Sequence, residues 1–271
     1  MLTNDTPWGS RRRFLQASAL GAAALPVVML GGHAAAAEGP GHDLKLPKSI
    51  LALQPVASKI VPISNVERRA RMARAQQLMG KNGMDAIFVD AGTTLDYFAG
   101  LRWWNSERTM GMLLPKSGDP VYIVPEFERS RTQGQIRIGT DVRSWQENES
   151  PYTLIAQVMR ERHAGTGVLG IEDRVPFFRA TEIGKALPQG KLVEATPVTA
   201  GCRSIKSPAE LALMQIAWDA TLSVYHAIWE GLEPGMTQHQ DSAWIDAAYQ
   251  RMGLRGEASL KVGKYTAQPP G

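Results

Sequence analysis

Two pairs of side chains in this sequence have a spacing that could share a metal ion. His226 and Glu230 stand four apart, and His239 and Asp241 two apart. Residues four apart on a helix lie on one face, so the first pair has the better geometry. A metal site takes three or four ligands, and neither pair has an evident third; solvated positions on a helix face are the alternative for both. The single cysteine, Cys202, cannot form an internal disulfide. It has no neighbouring His or Asp to make it a nucleophile, and a small buried thiol is the role its type favours. H-E-x-x-H, G-x-S-x-G and C-x-x-C are all absent. Gly165-Thr166-Gly167-Val168-Leu169-Gly170 matches G-x-G-x-x-G, with Glu194 at a tempting distance. A dinucleotide fingerprint follows a strand and opens a helix, whereas this one precedes a strand and reads as loop into strand. Trp103-Trp104, after Gly100-Leu101-Arg102, is the remaining candidate. Adjacent aromatics on a loop can line a substrate rim or an interface; the alternative is one tryptophan in the core and one on the surface.

The elements that must position these residues follow from periodicity. Asn65 to Gly83 predicts a helix with a glycine stop, its apolar positions Val66, Ala70, Ala73, Leu78 and Met79 set among Arg and Gln. Asp85–Val89 predicts a short buried strand. Met112–Leu114 and Val121–Val124 flank Lys116-Ser117-Gly118-Asp119 as a β-hairpin. Further strands are expected at Val142–Trp145, Val168–Glu172 and Leu192–Ala195, with helices at Tyr152–Arg162 and Phe178–Leu187. Alternation of this kind with one hairpin gives an α/β fold, a mixed sheet covered by helices.

Ser207-Pro208-Ala209-Glu210 is a helix start: Ser207 caps, Pro208 suits the first turn and Glu210 completes a capping box. Leu211, Met214, Trp218, Leu222, Tyr225 and Trp229 then form an apolar stripe at helical spacing, up to Gly231. Thr237–Gln240 opens a second helix that runs to about Gly253. Ala258–Val262 reads as a strand leading into the final Gly263–Gly271 segment.

The length of 271 residues suggests about two domains. Hydrophobic content of 44% and charged content of 21% are those of a globular protein. Of the net charge of +4, residues 1–37 carry +2; the remainder is too small and too evenly spread to argue for nucleic acid. Those first residues read as an export signal: Ser10-Arg11-Arg12-Arg13-Phe14-Leu15, an apolar run to Leu30, then Ala34–Ala37. The paired Arg11 and Arg12 resemble the twin-arginine type. The run is short for a membrane span, so cleavage near Ala37 is expected and an uncleaved anchor is the alternative. Residues 38–64, with recurrent Pro and Gly, read as a linker or extended arm.

The phrase Arg203-Ser204-Ile205-Lys206-Ser207-Pro208-Ala209-Glu210 and the helix after it resemble the entry to the catalytic domain of the creatinase/prolidase/aminopeptidase P family. Leu95–Gly100 and the hairpin at 112–124 are similar to its N-terminal creatinase-like domain, and Glu233–Gln240 to its link between the first two catalytic helices. The resemblance implies a creatinase-type domain over residues 65–200, followed over 203–271 by an incomplete α+β pita-bread domain of two helices and a first strand. Intact members bind two divalent metals (Mn, Co or Zn) through two Asp, one His and two Glu, and hydrolyse an amide bond near proline. The ligands follow the strand expected near Ala258, so none is placed in this chain and no cofactor of its own is assigned. Where the family carries a histidine in a Pro-His-Gly turn, this sequence aligns Pro270, which has no titratable group for proton transfer.

The resemblance therefore implies an exported, periplasmic or secreted relative of Xaa-Pro peptidases that is inactive as this chain. A peptide substrate is implied only for a complete catalytic domain. Family oligomers, whose N-domain loops reach a neighbouring active site, imply pairing of two copies through the N-terminal domain, with the Tat export machinery as a further partner. A non-catalytic exported binding or dimerisation protein is the alternative. A periplasmic solute-binding protein is disfavoured, because it has no required place for the capping phrase and two long helices.

Overall fold

Six strands form one mixed sheet in the order β4-β3-β2-β1-β5-β6. They are β1 (Ala86–Asp90), β2 (Gly111–Pro115), β3 (Val121–Pro125), β4 (Asp141–Trp145), β5 (Val168–Ile171) and β6 (Lys191–Glu194). β2 is antiparallel to both neighbours, and the other contacts are parallel. The C-terminal ends of five strands therefore share one edge with the start of β2. The computed structural model describes residues 45–256. The expected signal with Arg11 and Arg12, the cleavage site near Ala37, the strand at Ala258–Val262 and Pro270 lie outside the described residues.

Both faces of the sheet are covered, which is why the strand sequences are continuous apolar runs. Ile87, Val89, Met112, Leu114, Tyr122 and Val124 point to one layer. There they meet α2 (Asn65–Lys81), α3 (Thr93–Ala99) and α7 (Thr196–Arg203) through Met72, Ala75, Met79, Leu95, Phe98, Val198 and Cys202. Ala86, Phe88, Leu113, Val121 and Ile123 point the other way. Their cover is α5 (Pro151–Glu161) and α6 (Phe177–Ala186), through Ile155, Val158, Met159, Ile183 and Leu187. A short α4 (Arg129–Gln135) follows β3.

The glycine-rich stretch at 165–170 is a turn entering β5. A Cβ at Gly167 would stand 2.5 Å from Asp85 Oδ2, the atom that accepts the Val168 amide at 2.9 Å. The glycine serves close backbone approach to Asp85.

Beyond the sheet, α8 (Pro208–Gly231) and α9 (Gln238–Arg251) form a pair with a core of their own. α8 has the expected capping box at Ser207 and Glu210, and α9 a second one at Thr237 and Gln240. Within the stretch expected as a linker or extended arm, residues 46–56 are docked on this pair. α1 (Lys48–Leu51) places Ile50 at 0% exposure in their core. Ser49 Oγ donates to the Ala227 carbonyl at 2.6 Å, and the Val56 amide to the Met252 carbonyl at 3.0 Å. Leu46, Ile50, Leu53 and Val56 supply apolar cover at three- and four-residue spacing, a stripe too short to stand out between Pro47, Pro55 and Pro62.

The stripe on α8 faces elsewhere. Ala220, Val224, Ala227 and Ile228 pack inward, whereas Trp218 is 64% and Trp229 77% exposed, with Leu211, Met214, Leu222 and Tyr225 also exposed.

Candidate functional site at the C-terminal edge of the sheet

β1 and β5 end side by side and deliver two carboxylates to that edge, Asp90 and Glu172. Arg179, in the first turns of α6, reaches Asp90 from the opposite layer, and all three side chains are buried. Arg179 Nη1 donates to Asp90 Oδ2, and Nη2 donates to the carbonyls of Ser106 and Arg108. The loop 102–109 is thereby tied to the sheet. Trp145 Nε1 holds the loop's other end through the Thr109 carbonyl at 3.1 Å.

That loop carries Trp103 and Trp104. Trp103 is half-buried against the first core layer, with the Arg131 guanidinium 4.3 Å from its ring centre, a distance suited to a cation–π contact. Trp104 is 84% exposed. Phe127, Phe177 and Phe178 are exposed too. The Arg108 guanidinium lies 5.4 Å from the Phe127 ring, and Arg179 lies 5.5 Å from that of Phe178. The edge thus presents aromatics on a frame that a buried guanidinium organises.

A second polar assembly joins the sheet domain to α8. Ser207 Oγ accepts the Glu210 amide at 3.2 Å and donates to Glu67 Oε1 at 2.6 Å. Arg71 Nη2 meets Glu67 at 2.7 Å and Glu210 at 3.3 Å. Its guanidinium lies 4.1 Å over the Tyr97 ring, and Tyr97 donates from its hydroxyl to the Cys202 carbonyl at 3.0 Å. The Ser207 hydrogen bond first, then Arg71, hold the Glu67 carboxyl below its ordinary range. Burial pushes the Cys202 thiol up to about 11, as befits an inert packed thiol. Thr93, Tyr97, Arg203, Lys206 and Glu210 line a shallow cleft of about 410 Å³ beside this assembly.

The sequence-derived metal pairs do not converge. His226, Glu230 and His239 are exposed, while Asp241 is buried with Oδ1 unpartnered, so His239 and Asp241 have different surroundings. Among the described residues no group of three or more His, Cys, Asp or Glu side chains could hold a metal. These residues do not fit a two-metal centre, and no hydrolytic step is derived from them.

Sequence reasoning missed Asp90, Glu172 and Arg179. The signal available was a charged residue at the end of each of two apolar strands, which is where ligand crevices of α/β sheets open.

Residues 52–205 match the family described as creatinase/prolidase N-terminal domain. The chain belongs to this family. Among relatives of the creatinase/prolidase domain, the probable dipeptidase PepE of Mycobacterium tuberculosis is 28% identical over 196 residues, 71% of this chain and 51% of the relative. An uncharacterized peptidase of Schizosaccharomyces pombe is 27% identical over 239 residues, 82% of this chain and 51% of the relative. The solved structure of dipeptidase PepE from Mycobacterium ulcerans superposes with a TM-score of 0.61 at 25% identity, over 69% of this chain and 50% of that one. A prolidase from Thermococcus sibiricus, at 21% identity and a TM-score of 0.60, shows the same fold over 70% of this chain and 50% of its own. This chain spans about half the length of the curated relatives it matches. The mixed sheet covered by helices is the expected creatinase-type fold, and α8 and α9 follow it in the chain.

Proposed function

We propose that this chain is an exported relative of Xaa-Pro peptidases whose described part is a substrate-rim and subunit-pairing module, and that it hydrolyses no amide bond by itself. The supporting observation is that, among the described residues, no three His, Cys, Asp or Glu side chains come together as a metal site; His226, Glu230 and His239 are exposed and Asp241 is buried. The resemblance implies that intact members carry two divalent ions, which would supply the Lewis-acid chemistry of amide hydrolysis. Titration of the purified chain with Mn²⁺ by calorimetry tests the reading. No saturable binding is expected, and two metals bound per chain would overturn it.

The rim and pairing role is supported by the exposed aromatics Trp104, Phe127 and Phe177 (84%, 62% and 86%), since aromatics concentrate in interface centres. The same observation favours the second reading, a non-catalytic exported binding or dimerisation protein. Sedimentation of the full chain as a dimer, and of a Trp104→Ser/Phe177→Ser variant as a monomer, is expected; a monomer at all concentrations contradicts pairing. Export rests on Arg11 and Arg12. Their replacement by Lys is expected to leave the protein inside the cell, and unaltered export contradicts the twin-arginine route. Among the described residues no helix is long and apolar enough to cross a membrane.

A further inference from the structure

Arg203, at the end of α7, and Lys206, three residues on, line the cleft beside the domain joint and have only neutral partners there. Arg203 Nη1 donates to Thr94 Oγ1 at 2.9 Å. Lys206 Nζ donates to the carbonyls of Arg203 at 2.5 Å and Ser204 at 3.3 Å. Arg68, Arg71 and Arg179 each stand within ion-pair distance of a carboxylate; among the described residues Arg203 and Lys206 do not. Lys206 closes the C-terminal end of α7, whose carbonyls carry partial negative charge. That contact places the ammonium without neutralising it, and one of its three N–H donors stays uncommitted. Arg203 likewise keeps donors beyond the one given to Thr94. Arg74 of α2 adds a third cation at the same helix end, donating to the Gly201 carbonyl at 3.3 Å.

The cleft of about 410 Å³ lies between Thr93 and Tyr97 of α3, the two cations, and Glu210 in the first turn of α8. Glu210 is its one carboxylate, and it is already engaged. Its Oε2 accepts the Ser207 amide at 2.9 Å, and its Oε1 stands 3.3 Å from Arg71 Nη2. Arg71 and Glu67, behind the lining, offset each other. Glu172 also bonds Thr94, but it is 4% exposed and does not line the cleft. The lining therefore carries one positive charge in excess. A cleft of one sign concentrates counter-ions, and a guanidinium beside an ammonium suits the oxygens of a carboxylate or phosphate group.

We propose that Arg203 and Lys206, with the Thr93 hydroxyl, form a binding site for a small oxyanion, a carboxylate or phosphate group, in the cleft between α3, the end of α7 and the start of α8. The ligand would tie the sheet domain to the segment that leads into α8.

Two-dimensional NMR of the nitrogen-15-labelled full chain tests this, with sodium phosphate, sodium acetate and sodium chloride titrated at constant ionic strength. Amide signals of Thr93 and of residues 203–207 are expected to shift saturably with phosphate or acetate and not with chloride. The oxyanion that saturates at the lower concentration tells a phosphate source from a carboxylate one. Lys206→Gln keeps a polar side chain but loses the charge. It is expected to raise the half-saturating concentration about tenfold, the loss of roughly one charge-assisted hydrogen bond. Lys116→Gln, whose ammonium pairs with Asp85 at the opposite edge of the sheet, is expected to leave the titration unchanged. Arg203→Gln is expected to abolish saturation, with circular dichroism checking that it is folded; if it does not fold, Lys206→Gln decides alone. No saturable shift with either oxyanion, the same saturation with chloride, or a Lys206→Gln titration superimposable on wild type overturns the proposal.

Discussion

Arg71 on α2 stands 3.3 Å from Glu210 in the first turn of α8, so one guanidinium joins the creatinase-type domain to the capping box of the helix that follows it. Glu67, one turn before Arg71, shares the same guanidinium and takes the Ser207 hydroxyl. Helix capping and domain joining are thus a single hydrogen-bonded unit.

Ser207→Ala removes the cap and the donor to Glu67 together. A cap is worth about 0.5–2 kcal/mol, and the loss is expected at the upper end of that range because a partly buried carboxylate is also left short of a partner. The Glu67 carboxyl is depressed, so its contribution is present above the ordinary carboxylate pKa and is lost as pH falls through the lower folded value. Chemical unfolding from neutral pH to about pH 3 is expected to show a steeper acid-side decline for wild type than for Ser207→Ala. Parallel curves contradict the unit.

Asp241 illustrates the opposite sign. Its carboxyl is buried on α9 with Oδ1 unpartnered, and burial raises it. Stability tied to it is fully present below the ordinary carboxylate pKa and is lost as pH rises through the folded value. Asp241→Asn is therefore expected to gain stability on wild type as pH rises, by on the order of 1 kcal/mol at neutral pH. Denaturation midpoints across that range check it, and a constant difference contradicts the assignment.

The apolar stripe of α8 makes no contribution to the core of the described residues. Trp218→Lys and Trp229→Lys are expected to change chemical stability by less than about 0.5 kcal/mol while reducing concentration-dependent association, since large exposed apolar patches promote it. Losses of several kcal/mol in either variant would show that the stripe is covered within the chain.

Legibility in the sequence divides by range. Elements with a local pattern were readable: α2, β1, the β2–β3 hairpin and α5 lie within a residue or two of their expected bounds, because apolar period and turn chemistry act over neighbours. The short α3, α4 and α7 were not read. α4, Arg-Ser-Arg-Thr-Gln-Gly-Gln, has almost no apolar periodicity, and α7 carries Gly201 near its end. The docking of α1 was missed because its apolar residues contact helices almost two hundred positions away. The Asp90–Arg179 pair was invisible for the same reason: 89 residues separate its partners, and only the finished sheet brings them together. The unpaired ligand candidates His226 and Glu230 were legible as a pair; the family resemblance, rather than local spacing, pointed to the ligand region lying elsewhere.

The most direct test of the account is turnover. The purified chain, incubated with Xaa-Pro dipeptides and Mn²⁺ or Co²⁺, is expected to release no proline above the metal-only control. Release that scales with protein concentration and stops on chelation would contradict the claim that this polypeptide hydrolyses nothing by itself.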